Sequence, residues 1–308
     1  MYPVVPCHLQ PDPCTLSSVP LLVNADDFGL TPGVNRSIAE LHRAHALSSA
    51  TLMATGAFFD DAVATAHANP TLEVGCHILL VDGTPALPPA QIPTLCPNSQ
   101  SLRPTLGAIV RDLFTFRIRP EEITAEATAQ IRRLQAAGLR VSHIDTHKHT
   151  HLFPGVLRPL LAAAQECNVP ALRNPFEPAW SLRATKGAAP LLRRLAVTAL
   201  QSQHRAFQRA VAASGLATTS GTIGVLSTGT TNVEMTLRSL LAAMPDDPHA
   251  TWELVCHPGF PDAALDQVQT RLRASRAAEH DALLKLLPSI PLASWCTLAS
   301  GTTPVSPA

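Results

Sequence analysis

Short apolar runs that stop abruptly at titratable side chains recur along this chain, and they limit its fold more than any other feature. Leu21-Leu-Val-Asn-Ala-Asp26-Asp27 ends in two carboxylates. Leu72-Glu-Val-Gly-Cys-His77-Ile-Leu-Leu80 carries a histidine near its end, and Trp252-Glu-Leu-Val-Cys-His257-Pro258-Gly259 carries another. Runs of this length between turn residues read as buried parallel strands. Helical periodicity fills the gaps, over Val34–Ala46, Asp60–Ala68, Pro120–Ala137 and Pro154–Cys167. Strand–helix alternation from Leu21 onward predicts a parallel sheet or barrel. A chain of 308 residues accommodates one such α/β domain.

The densest polar segment is His143-Ile-Asp145-Thr-His147-Lys-His149-Thr-His151, with four of the chain's thirteen histidines. On an extended strand, His143, Asp145, His147, His149 and His151 line one face. Strand ends of a parallel barrel converge on one mouth. Asp26 and Asp27, His77, His147 and His257 are then expected to meet there. One carboxylate with two imidazoles makes a facial metal site that leaves room for water and substrate. The second carboxylate is placed to act as a base, and the remaining histidine as an acid. This is equipment for hydrolysing an amide or ester. Taken singly, the residues have ordinary readings: the Asp-Asp pair as a helix cap, His77 and His257 as structural histidines. Their joint placement at strand ends favours metal chemistry.

Other features bound the partners. The formal net charge is zero and aromatics are 4% of the residues, with one Tyr, so neither a basic footprint nor a base-stacking platform for nucleic acid is present. Seven scattered cysteines without a CxxC argue for reduced thiols and a cytoplasmic enzyme. Residues 1–20, with Pro3, Pro6, Pro11 and Pro13, read as a flexible arm without signal-peptide character. No apolar run reaches the ~18 residues of a membrane span. The expected domain covers residues 21–298, with a flexible tail over 299–308. Within it, Ala264–Leu287 reads as one long helix and Ser289–Leu298 as a last strand. An exposed apolar helix face suits a homodimer.

Val23-Asn-Ala-Asp-Asp-Phe-Gly29, Val74-Gly-Cys-His77, His143 through Pro154 and Cys256-His-Pro-Gly-Phe260, in that order, resemble the YdjC-like carbohydrate deacetylases. The resemblance runs from about Leu21 to about Leu287. It implies a distorted (β/α) TIM-like barrel and metal-dependent removal of acetyl from an N-acetylated sugar. By motif position it implies Asp27, His77 and His147 as metal ligands, Asp26 as general base and His257 as general acid. The family metal is magnesium, whereas two imidazole ligands suit zinc or another transition metal better. Leu79–Pro89 further resembles the hopanoid-associated branch, which implies a lipid-borne glucosamine. Cys76 departs from the family pattern, where a larger apolar residue is common. His149 and His151 are expected at the substrate wall or behind the ligands, Asp145 behind His147, and Arg173 and Asn174 against sugar hydroxyls. Two rival readings are an amidohydrolase-type deaminase or lactonase, suggested by His147-Lys-His149, and a non-catalytic metal- or sugar-binding protein.

Overall fold

The computed structural model describes residues 19–98, 100–185, 197–230 and 232–301. The proline-rich arm up to Ser18, the end of the tail from Thr302, Cys7, Cys14 and residues 186–196 lie outside the described residues.

Six strands form one parallel sheet: β1 (Leu21–Phe28), β2 (Ser49–Leu52), β3 (Glu73–Ile78), β4 (Val141–Thr146), β5 (Gly221–Ile223) and β6 (Trp252–Cys256). Their order across the sheet is β4-β3-β2-β1-β6-β5. Every residue of β1 is buried, as expected for a central strand covered on both sides. The helices between strands are α1 (Pro32–Arg43), α2 (Phe59–His67), α3 (Leu106–Phe114), α4 (Pro120–Ala136) and α5 (Pro154–Glu166). α6 (Ala179–Ala184) and α7 (His204–Ser214) precede β5, and α8 (Val233–Ala243) precedes β6. α9 (Ala263–Gln267), α10 (Arg276–Leu286) and α11 (Trp295–Ser300) follow it. Local chemistry sets several starts. Thr31 accepts a hydrogen bond from the Val34 amide ahead of Pro32 in α1, and Thr105 caps α3 in the same way.

The sheet curls, and the stretch Val169–Pro175 bridges its open edges. The Ile144 amide donates to Ala171 O (3.0 Å) and the Arg173 amide to Ile144 O (3.0 Å). On the other side, the Leu172 amide donates to Ala217 O (2.9 Å) and the Thr222 amide to Phe176 O (3.1 Å). The result is the expected distorted barrel, with Arg173 carried on the bridging segment. α11 packs at the N-terminal end of the sheet. Glu73, the first residue of β3, accepts hydrogen bonds from Ser294 Oγ and from the amides of Trp295 and Cys296.

Three expectations are corrected. The histidine-rich stretch is not one strand to His151. β4 stops at Thr146, and Lys148 (φ 56°) and His149 (φ 51°) take left-handed backbone conformations. Thr146 Oγ1 closes that turn, accepting from the His151 amide (3.1 Å) and bonding His151 Nδ1 (2.6 Å). The shared face therefore ends before His149. The long helix over Ala264–Leu287 is two helices. Arg273 donates to the carbonyls of Leu265, Asp266 and Val268, and so satisfies the free C-terminal acceptors of α9. The last strand reduces to one bridge, Leu292 to Leu21, and Ser294 then caps α11.

Candidate metal centre and active site

β1 ends in Asp26 and Asp27, which a regular strand would point to opposite faces. The β1–β2 register shifts between Ala25 and Phe28, and Asp27 sits at φ 66°. That irregularity lets both carboxylates reach the polar cluster at the barrel mouth. From β3, His77 arrives with its ring buried. From the end of β4, His147 arrives with its side chain 21% exposed.

Asp27 Oδ1, His77 Nε2 and His147 Nδ1 form a small triangle. Asp27 Oδ1 lies 3.7 Å from each imidazole nitrogen, and the two nitrogens are 3.3 Å apart. Ligands roughly 2.1 Å from a common ion stand about 3.0–3.4 Å from one another. The donors therefore fit a divalent cation with little adjustment. Behind them, Asp145 Oδ1 bonds His77 Nδ1 at 2.7 Å. A carboxylate on the far ring nitrogen fixes the imidazole and turns its other nitrogen to the ion. The sequence expectation placed Asp145 behind His147. It stands behind His77 instead, because its cross-strand partner in the β3–β4 register is His77. Asp26, His77 and Asp145 form a second convergent group. His149 belongs to neither group found among the described residues, so the His147-Lys-His149 pair does not converge.

Asp26 is held from below. Arg173, completely buried, donates from Nη1 to Asp26 Oδ2 (2.9 Å) and from Nη2 to Asp26 Oδ1 (2.7 Å). The same guanidinium bonds Glu253 Oε1 through Nε (2.7 Å) and pairs with Asp145 Oδ2. Burial raises the Asp26 pKa, but the Arg173 cation, with His77 and His257, outweighs it and holds the carboxyl well below the usual range. Burial acts likewise on Asp27, and Arg276 leads the charges that bring it below that range. Burial disfavours the His77 cation, yet Asp145 lifts its pKa to about 9. His147 goes the other way, to about 4, chiefly through burial.

His257 enters from the end of β6, with Nε2 3.8 Å from Asp26 Oδ2. Its amide donates to Glu279 Oε2 at 2.6 Å. His151 is fully buried against Thr146. His149 is half-buried beside it, ring centroids 6.1 Å apart, and burial lowers its pKa to about 3. Asn174 is buried, its amide donating to Thr219 O (3.0 Å) and accepting from the Phe176 amide (3.1 Å). Arg173 and Asn174 thus lie beneath the mouth with protein partners. His143 lies deeper, its ring stacked on Trp295 at 4.2 Å.

Sequence reasoning missed three residues of this cluster. Glu253 was detectable as a charge inside an apolar strand. Arg276, which donates to Asp27 Oδ2, and Glu279, which holds His257, lie on a helix with no ligating motif.

The family model for the YdjC-like protein matches residues 20–286. The chain belongs to the YdjC-like family. A carbohydrate deacetylase of Brevibacillus brevis is 41% identical over 156 residues, covering 51% of this chain and 59% of that protein. Carbohydrate deacetylase 1 of Listeria innocua is 38% identical over 127 residues, 41% of this chain and 50% of the relative. The matched region of this YdjC-like chain thus spans about half the length of each curated relative. A solved structure from Enterococcus faecalis, described as a putative cellobiose-phosphate cleavage protein, matches 92% of this chain and 99% of that one. Its TM-score is 0.68 at 24% identity, a likeness of fold.

Proposed function

We propose that this YdjC-like chain is a metal-dependent hydrolase that removes acetyl from an N-acetylated sugar of the N-acetylglucosamine type. The observation that carries the reading is the Asp27–His77–His147 triangle, with Asp26 and His257 facing each other beside it. The names of the curated relatives support the same chemistry. Asp27, His77 and His147 are the ligands in this reading, for magnesium or, with two imidazoles, zinc or another transition metal. Such an ion supplies Lewis acidity, polarising a carbonyl and lowering the pKa of water.

The chain's own residues do the rest. Asp26 accepts a proton from the attacking water through Oδ2, the oxygen nearer His257. Arg173 keeps that carboxylate ionised and aimed, and a weak base would suffice for a water whose pKa a bound ion would lower. His257 Nε2 gives a proton to the departing sugar amine. Asp145 holds the His77 ring, and His149 shapes the mouth wall after β4 with His151 buried behind it.

Acetate release from N-acetylglucosamine oligomers, with and without a chelator, tests the reading. Release that the chelator stops supports it, and no release from any acetylated amine overturns it. Asp26→Asn is expected to abolish turnover while the metal stays bound. Loss of metal in that variant would exchange the roles of Asp26 and Asp27.

A further inference from the structure

α3 ends in an aromatic and basic surface that the hydrolase reading does not use. Phe114 is 72% exposed and Phe116 is 93% exposed. Phe116 also sits at φ 55°, a region that disfavours bulky residues. Its amide bonds Leu113 O (3.2 Å) and the Arg117 amide bonds Asp112 O (2.8 Å), the paired closure of a helix end where glycine is usual. The fold therefore holds a phenyl ring out into solvent in a strained backbone conformation.

Basic residues flank the ring in sequence. Arg111, Arg117 and Arg119 have side chains 64%, 67% and 71% exposed. Between Arg103 and Arg119 the sole carboxylate is Asp112. It is buried, with its two oxygens taken by Arg103 Nε and Arg111 Nε at 2.8 Å each. Arg119 lies 4.0 Å from the buried Glu122, and Glu121 is exposed beside it, so the exposed charge of the patch is predominantly positive, three arginines against one glutamate. The patch lies on the mouth side of the barrel. Phe114 packs edge-on against Phe153, ring centroids 6.4 Å apart, and Phe153 directly follows the turn that carries His147, His149 and His151.

We infer that this surface docks on an anionic lipid bilayer, with Phe114 and Phe116 entering the interface and the arginines on the headgroups. Aromatic rings with long basic side chains are the combination that suits that boundary. Charge complementarity favours it over a second copy of the chain, since a two-fold pairing of this patch would set arginine against arginine. The inference is independent of the hydrolase reading, because it concerns binding alone.

Flotation of the full chain with phosphatidylcholine vesicles, with or without phosphatidylglycerol, tests it. The chain is expected to float with the anionic vesicles and not with the neutral ones. Phe116→Gly should abolish flotation while melting at or above the parent temperature, because glycine accepts this backbone without strain. Replacing the three arginines by glutamine should weaken binding by about fivefold for each, and salt should weaken the parent in the same way. Equal flotation with both vesicle types, or unchanged flotation of Phe116→Gly, overturns the proposal. So does a dimer in sedimentation that Phe116→Gly dissociates, which would make a second copy the occupant.

Discussion

Arg276 Nη2 donates to Asp27 Oδ2 at 2.5 Å, across 249 residues of sequence, and leaves Oδ1 to face His77 and His147. The arginine thus neutralises Asp27 and restricts it to one free oxygen. Both partners are buried, so removing the guanidinium leaves an unpaired buried carboxylate, at a cost of about 3–5 kcal/mol. A bound cation would offset part of that cost. Arg276→Gln is therefore expected to melt well below the parent without metal, and to gain more from added magnesium or zinc than the parent does. Thermal melts with metal and with chelator measure both shifts. An equal metal-induced gain in the two proteins would mean that Arg276 and the ion do not share Asp27.

Glu253 gives a pH-dependent prediction. Burial raises its pKa from 4.5 to about 7, only partly opposed by Arg173. A folded pKa above the unfolded one means that the native state holds the extra proton between those values. This contribution to stability is complete below about pH 4.5 and is lost as pH rises through about 7. Glu253→Gln removes the loss, and should gain on the order of 1–3 kcal/mol on the parent above neutrality and little in mild acid. Urea midpoints across that pH range test this. A gain independent of pH would assign the effect to packing.

The barrel was legible because β1, β3 and β6 are mostly apolar runs that break off at Asp26 and Asp27, His77 and His257. The convergence of Asp27, His77 and His147 was legible because each stands at or just after the C-terminal end of a strand. What could not be read is how the chain leaves the strands. The parity of the histidine-rich stretch holds only while the backbone is extended, and Thr146 folds the turn back on itself before His149. Arg173 was noticed but assigned to substrate, since nothing in sequence tells that three carboxylates from β1, β4 and β6 surround it. Arg276 and Glu279 sit one helical turn apart on α10, a spacing that signals nothing until β1 and β6 are seen beside it.

The loop after β3, residues 82–104, is held by a polar stripe on α4. Glu126 accepts from the amides of Ala86 (2.7 Å) and Leu87 (3.0 Å), and Glu122 from those of Thr94 (2.7 Å) and Leu95 (3.1 Å). Gln130 completes the i, i+4, i+8 row by bonding the amide and carbonyl of Leu79. Glu126→Ala leaves two amides without partners, each costing about 1–3 kcal/mol if they stay buried. Faster hydrogen exchange over residues 82–104 is expected, with β1 and β6 protected as before. Slowed exchange nowhere, and loss of protection in every strand, would show that the loop and barrel unfold as one unit.

Gly75 tests the packing beneath the site. A Cβ on it would lie 2.5 Å from His143 Cε1 and 2.7 Å from Nδ1. The His143 ring has little room to retreat, because it stacks on the fully buried Trp295 and bonds Ser142 Oγ at 2.9 Å. Gly75→Ala is expected to destabilise by about 1–3 kcal/mol, as overpacking does. His143→Ala alone opens a void and costs a similar amount. The two changes act on the same space, so the double variant should be more stable than the sum of the single effects by a clear margin. Denaturant midpoints for the four proteins give that coupling directly. Simple additivity would mean that β3 moves aside to admit the methyl group and that His143 is not the wall it meets.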